Sequence, residues 1–345
     1  MKRIATWGTI VFLIAFSFAA CGKKTGAPVA GRAEAGAMLN LLPMSVQGVV
    51  VFDAHKAINT EFADKAIKSD KNYQKYQDFI KETGLDPQKD IYFLAVGVAK
   101  KTGASEPDAA VVANLKYDKA LLLAKMQKEG KAELKEELYN GVTVYSSIKA
   151  EAGKNGSGAF LDASNVVVGS DAMVKQVIDV FQKKADNVWK NETLAAVIKT
   201  SNTDAMVWSA FAIPPEAMQK MAQQNPMMSS LEGMKALTMF FDYKDKSLSM
   251  EIKLSGGDAT KNKQLADMMT GFKALGAGAA AKNPDVGELL NRIEISSGAD
   301  FVKLNAGLPE ELLQKLTKSA AQKVEGMMKP KPEGPKEEPV EEKKD

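Results

Sequence analysis

The chain has one cysteine and one histidine in 345 residues. A single thiol can form no internal disulfide, and one imidazole with no spare thiolate leaves little for zinc chemistry. Carboxylate-only sites for calcium or magnesium stay open, though no D-x-[DN]-x-[DN]-G loop occurs. Charge of one sign is also missing: 46 Lys and Arg stand against 43 Asp and Glu. There is therefore no basic domain to hold nucleic acid. No Gly-x-Ser-x-Gly elbow is present. Gly153–Gly158 lacks phosphate-loop spacing, and Gly276-Ala277-Gly278 follows a helical stretch, the wrong order for a dinucleotide site. An enzyme would have to be built on Asp53 and His55, with a serine such as Ser45 as nucleophile. The simpler account is that Asp53 caps a turn and His55 is solvated. We therefore expect no enzyme, no cofactor and no metal.

What is present is concentrated at the start. Lys2 and Arg3 precede an apolar run, Ile10-Val11-Phe12-Leu13-Ile14-Ala15-Phe16, that ends in small residues before Cys21. The run is shorter than the roughly 20 residues of a spanning helix and has the layout of a secretory signal. Phe18-Ala19-Ala20-Cys21 resembles a bacterial lipobox, with Phe18 where Leu is usual. That resemblance implies cleavage after Ala20 and lipidation of Cys21. It also implies a cell-envelope protein held to the membrane by an N-terminal lipid anchor. Gly22 rather than Asp at the next position implies the outer membrane, facing the periplasm. An ordinary secretory signal with a chance cysteine, or an uncleaved anchor, shares the pattern. One acyl chain holds a protein only marginally, so stable anchoring takes at least two. Loss of residues 1–20 removes Lys2 and Arg3 and leaves 44 basic against 43 acidic side chains.

Residues 21–41 are small and Gly/Ala-rich without hydrophobic period, and are expected to be a flexible tether. Beyond them, alternating β-branched runs and amphipathic stretches predict an α+β fold. Val49–Phe52, Ile91–Val98 and Ala109–Leu115 are expected strands, and Asn140-Gly141 and Ala163-Ser164-Asn165 are expected hairpin turns. Asp70–Thr83, closed by Gly84, is an expected helix, as is the stretch that Ser170 or Asp171 caps. The second half shows a similar order: Ala205–Phe211, a helix broken at Pro226, paired strands across Lys244-Asp245-Lys246, and helices from Asp258 and Pro309. This predicts two similar units of mainly antiparallel sheet with packed helices, 42–186 and 187–326, related by divergent internal duplication. Residues 327–345 are Pro, Lys and Glu with little that is apolar, and are expected to be disordered.

The body resembles a loose group of uncharacterised bacterial envelope lipoproteins. The likeness rests on Leu42-Pro43 before Val49-Val50-Val51-Phe52-Asp53, on Gly84-Leu85-Asp86-Pro87, on Tyr139-Asn140-Gly141-Val142, and on Phe160-Leu161-Asp162 leading to Val168-Gly169-Ser170. Met44-Ser45 stands where Ala-Asp often follows the Leu-Pro. The resemblance implies a duplicated α+β body and supplies no catalytic residue. It favours a non-enzymatic interaction or accessory module with an envelope protein as partner. One bias adds an alternative. Ten of the 17 methionines fall between Met206 and Met269. Methionine fills cores, but it also makes adaptable apolar surfaces. Met218, Met221, Met227, Met228 and Met234 are thus candidates for the wall of a site for an apolar ligand or lipid. Thioethers of Met218 and Met221 at i, i+3 would also suit copper(I).

Deleting Pro330–Asp345 removes no periodic apolar residue. The expected change in unfolding free energy is under about 1 kcal/mol, read by thermal denaturation.

Overall fold

The computed structural model describes residues 35–70, 72–100, 107–130, 134–147, 156–224, 226–280 and 283–328. The expected leader 1–20, Cys21, most of the expected tether, and the tail after 328 lie outside the described residues. So do 101–106 and 148–155.

The first seven strands are β1 (Gly48–Asp53), β2 (Ile91–Ala99), β3 (Asp108–Leu115), β4 (Leu134–Tyr139), β5 (Val142–Ser147), β6 (Gly156–Phe160) and β7 (Asn165–Ser170). The last five are β8 (Val207–Ala212), β9 (Met234–Lys244), β10 (Ser247–Gly256), β11 (Ile293–Ser297) and β12 (Phe301–Pro309). All belong to one 12-stranded sheet in the order β11-β12-β10-β9-β8-β1-β2-β3-β7-β6-β5-β4. Every pairing between them is antiparallel.

This corrects the expected division into two duplicated units. The antiparallel, helix-packed character holds, but the sheet runs through the expected boundary at residue 186. β1 pairs with β8, from Gly48↔Phe211 to Phe52↔Val207. The linking segment is equally committed: Met44 N donates to Asp186 O at 3.1 Å and Val188 N to Leu42 O at 2.8 Å. Val188 itself is fully buried.

Strand alternation gives the sheet two faces. One carries Val49, Val51, Val112, Val167, Trp208 and Ala210, all buried in the largest core cluster. Three helices cover it: α1 (Ala35–Leu39), α7 (Asp171–Phe181) and α8 (Glu192–Lys199). Helix α1 falls inside the expected tether, yet its Met38 and Leu39 are each 1% exposed, so the folded body begins earlier than the sequence suggested. Helix α7 buries Met173, Val174, Val177 and Ile178, as its period requires, and Ser170 Oγ caps it by accepting from Met173 N. Over β10 and β12 this face turns polar, where Lys303 pairs with Glu251 at 3.3 Å.

The opposite face carries Val50, Val96, Val111, Met239 and Ile252. Two groups of helices pack on it. The first is α2 (Ala54–Ile58), α3 (Glu61–Ser69), α4 (Tyr73–Thr83), α5 (Pro87–Asp90) and α6 (Lys119–Gly130). Ala54, Ile58, Phe79 and Leu122 from this group gather around Leu94 and Ala113. The second is α9 (Pro215–Gln224), α10 (Ala259–Ala279), α11 (Pro284–Asn291) and α12 (Glu310–Met328). Leu265 of α10 meets Val302 and Leu254, while Leu312 of α12 meets Ala306, Leu308 and Met250.

A charge at Val49 or Val51 would be buried without a partner, costing about 3–5 kcal/mol of the roughly 5–15 that hold a domain together. Val51→Asp is expected to yield no cooperatively folding protein by circular dichroism. Val50→Asp, on the part-exposed face, is expected to destabilise far less.

Candidate functional site

Of the residues first suspected of chemistry, Asp53 and His55 stand together at the start of α2 and Ser45 lies apart from them. Asp53 is the N-cap of α2, its carboxylate accepting from Lys56 N at 2.7 Å. His55 sits in the first turn of that helix, part-exposed, with its ring 6.3 Å from that of Tyr92. Ser45 precedes β1 at the far end and donates to Gln176 Oε1 at 2.6 Å. Eight residues of largely extended chain separate Ser45 from Asp53, about 25 Å at the rise of a strand. Among the described residues no three His, Cys, Asp or Glu side chains are placed to hold a metal. No described helix is long and apolar enough to cross a membrane.

Of the five methionines, two share a cluster. Met234 is 1% exposed and belongs to the cluster of Leu265, Ala266 and Val302, and Met218 packs against it from α9. Met221 is exposed on the same helix. Met227 and Met228 lie in the 3-10 helix Pro226–Leu231, where the described residues do not include their side chains.

Sequence periodicity missed the open centre of the second sheet face. Register places Val111, Val96, Val50, Ser209, Met239, Ile252 and Leu304 side by side across seven neighbouring strands. Val96, Val50, Met239, Ile252 and Leu304 are part-exposed and outside the buried clusters of the described residues. The flanking Val98, Phe211 and Leu237 share that condition. In the middle of this row Ser209 is 2% exposed, and its Oγ has no hydrogen-bond partner among the described residues. A buried hydroxyl left so costs about 1–3 kcal/mol. The only sequence signal was the unbroken Val49-Val50-Val51, which marks a strand apolar on both faces.

To one side of this row, four residues along β9 from Met239, the two helical groups are bridged. Glu310, at the junction of β12 and α12, is 7% exposed and accepts from Tyr243 Oη at 2.6 Å and from Gln314 Nε2 at 2.8 Å. Lys65 of α3 reaches the same carboxylate at 3.3 Å, and Phe62 of α3 lies 6.1 Å from the Tyr243 ring. The Tyr243 hydroxyl, then Lys65, hold the Glu310 carboxyl below its ordinary value, against its burial. Burial, then the Glu310 carboxylate, push the Tyr243 phenol well above the usual range. The first helical group is thereby tied to the second across the sheet.

Among solved structures the chain is similar to TP0453 in crystal form III, at 10% identity and a TM-score of 0.45, covering 81% of this chain and 97% of that one. It is also similar to crystal form I of TP0453, at 9% identity and a TM-score of 0.44, covering 82% and 96%. No curated protein matches the chain.

Because the folded-state value of Glu310 is depressed, its contribution is complete above the ordinary 4.5 and is lost as pH falls through the lower folded value. Glu310→Gln and Tyr243→Phe are each expected to cost about 1.5–3 kcal/mol at pH 7, with strong non-additivity in the double variant. The difference between Glu310→Gln and the native chain is expected to shrink in acid denaturation series below pH 4.5. Equal differences at pH 7 and in acid would separate Glu310 from this tie.

The family of proteins of unknown function designated DUF3352 has a model that matches residues 77–276, more than half of the chain, and the chain belongs to that family.

Proposed function

We propose that this protein is a lipid-anchored, non-enzymatic module of the bacterial cell envelope, held at Cys21 to the outer membrane and facing the periplasm. The observation that carries this reading is the order basic pair, apolar run, small residues, Cys21, in a chain with no other cysteine. Its action is through binding an envelope partner rather than through chemistry. No nucleic acid is a partner of so balanced a charge.

A second reading is favoured by one specific observation. The part-exposed aliphatic row from Val96 to Leu304 supports a module that takes up an apolar ligand or lipid. Met218, Met221, Met227, Met228 and Met234 were the sequence's candidates for its wall. The part-exposed sheet face supports a position at the centre, with Met239 as the methionine in the row.

In the native host, Cys21→Ser is expected to move the protein from the membrane to the soluble envelope fraction and to abolish labelling by a palmitate analogue. A variant that stays on the membrane, beside a native protein that never labels, would retire the anchor.

A further inference from the structure

We propose that the open row on the Val50 face is a binding site for a neutral acyl ester, with Ser209 Oγ donating to the ester carbonyl. This deepens the apolar-ligand reading above and is independent of the anchor at Cys21.

Three observations carry the proposal. First, shape: Val96, Val50, Ser209, Met239, Ile252 and Leu304 form one line across six strands. At about 4.8 Å per strand the line is roughly 24 Å long, and part-exposed Val98, Phe211 and Leu237 widen it on one side. At Ile252 and Leu304 it runs between α10, whose Leu265 meets Leu254 and Val302, and α12, whose Leu312 meets Met250 and Ala306. Phe62, Lys65, Tyr243 and Glu310 tie α3 to the start of α12 on the latter side. A second copy of this chain would need a broad flat face, whereas a hydrocarbon chain is thin enough to lie between the helices. Second, charge: no side chain of the line is charged, and neither are the neighbours on the same face, from Val98 to Val302 on one side and from Leu94 to Ala306 on the other. A carboxylate or phosphate resting there would lack a counter-ion, so the occupant's buried part is neutral. Third, polarity: the line holds one polar atom, the Ser209 hydroxyl, 2% exposed and without a partner among the described residues. Hydrocarbon flanks it on both sides. The ligand that satisfies it is apolar on both sides of one acceptor, which describes an ester and not a terminal acid.

Ser209 lies below the level of its longer neighbours, so the ester meets it when Met239 or Phe211 turns aside. Methionine, with three rotatable bonds, does so readily. The Phe211 ring rests over Gly48, where a Cβ would come within 2.0 Å of it, so the glycine leaves room for the ring in its present place.

The test uses soluble Cys21→Ser protein and three probes: dioctanoylglycerol, palmitate and hexadecane, followed by calorimetry and native mass spectrometry. Dioctanoylglycerol is expected to bind one to one and more tightly than palmitate. Ser209→Ala is expected to weaken dioctanoylglycerol about tenfold and to leave hexadecane unchanged, with the thermal midpoint no lower than native. Val96→Trp, or Met239→Trp if the first does not fold, is expected to exclude all three probes. A diazirine-bearing dioctanoylglycerol should crosslink to β1, β9 or β10. The proposal is overturned if folded native protein takes up no ester, if Ser209→Ala binds it as the native chain does, if palmitate binds more tightly, or if crosslinks fall on the exposed Phe272 and Leu275 of α10. Failure on any of these counts leaves the Cys21 anchor standing, and an unlipidated protein that binds the ester keeps this inference.

Discussion

The backbone ladder between β1 and β8 joins strands about 160 residues apart in sequence, and the rest of the sheet is laid down outward from it. Five register pairs make the join, from Gly48↔Phe211 to Phe52↔Val207. The ladder is extended at both ends, by Ala212 N to Gln47 O at 2.9 Å and Asp53 N to Met206 O at 2.8 Å. Trp208 from β8 then shares one core with Val49 and Val51 from β1, under α8. Closing so long a loop must precede the contacts that reward it, which makes this pairing the slow, non-local step in assembly. Once it is made, neither half can leave without exposing both a strand edge and the Trp208 cluster.

That join also explains the uneven treatment of the two faces. The Trp208 face is sealed at the centre by α8, whose sequence, Leu194, Ala195, Val197 and Ile198, buries one side completely. The opposite face receives helices from both halves, but each group is packed over its own strands. The seam between them is where Val50, Val96 and Met239 stay part-exposed. The tie at Glu310 crosses this seam at one end with charge-assisted hydrogen bonds rather than apolar packing. Such bonds depend on geometry and are weakened by water, so the seam is closed more conditionally than the core behind Trp208.

Local chemistry was legible in the sequence and pairing was not. Asn140 and Gly141 both adopt positive φ, 50° and 80°, as a two-residue hairpin turn demands. Gly84 at φ 67° ends α4, and Ser170 caps α7. The second hairpin turn is Asp245 and Lys246, both left-handed, within the expected Lys244–Lys246. Helices α2 and α3 were missed because they are short. Thr60 nevertheless caps α3, and Ala63 and Ile67, four apart, are its only buried residues. The glycine-rich Gly153–Gly158 is already strand from Gly156, which its composition does not suggest. The single sheet was invisible because strand pairing is made by main-chain groups common to every residue. In Val49-Val50-Val51 all three side chains are β-branched, so the sequence marks a strand without saying which side is sealed.

Methionine usage follows the same uneven packing. Met218, Met268 and Met269 lie around buried Met234, while Met250 packs with Leu312 beneath the second helical group and Met239 stands part-exposed in the open row. No residue of α9 or α11 is fully buried, in contrast to the five buried residues of α7. Helices held by part-buried, flexible thioethers can shift over a sheet at lower cost than helices locked by interdigitated Val and Ile. The rigid component is the Trp208 core and the compliant one is the helical layer over β9, β10 and β12. An apolar molecule entering the seam would therefore displace that layer rather than deform the sheet, and the Glu310 tie, lying across its path, sets how far the two helical groups separate.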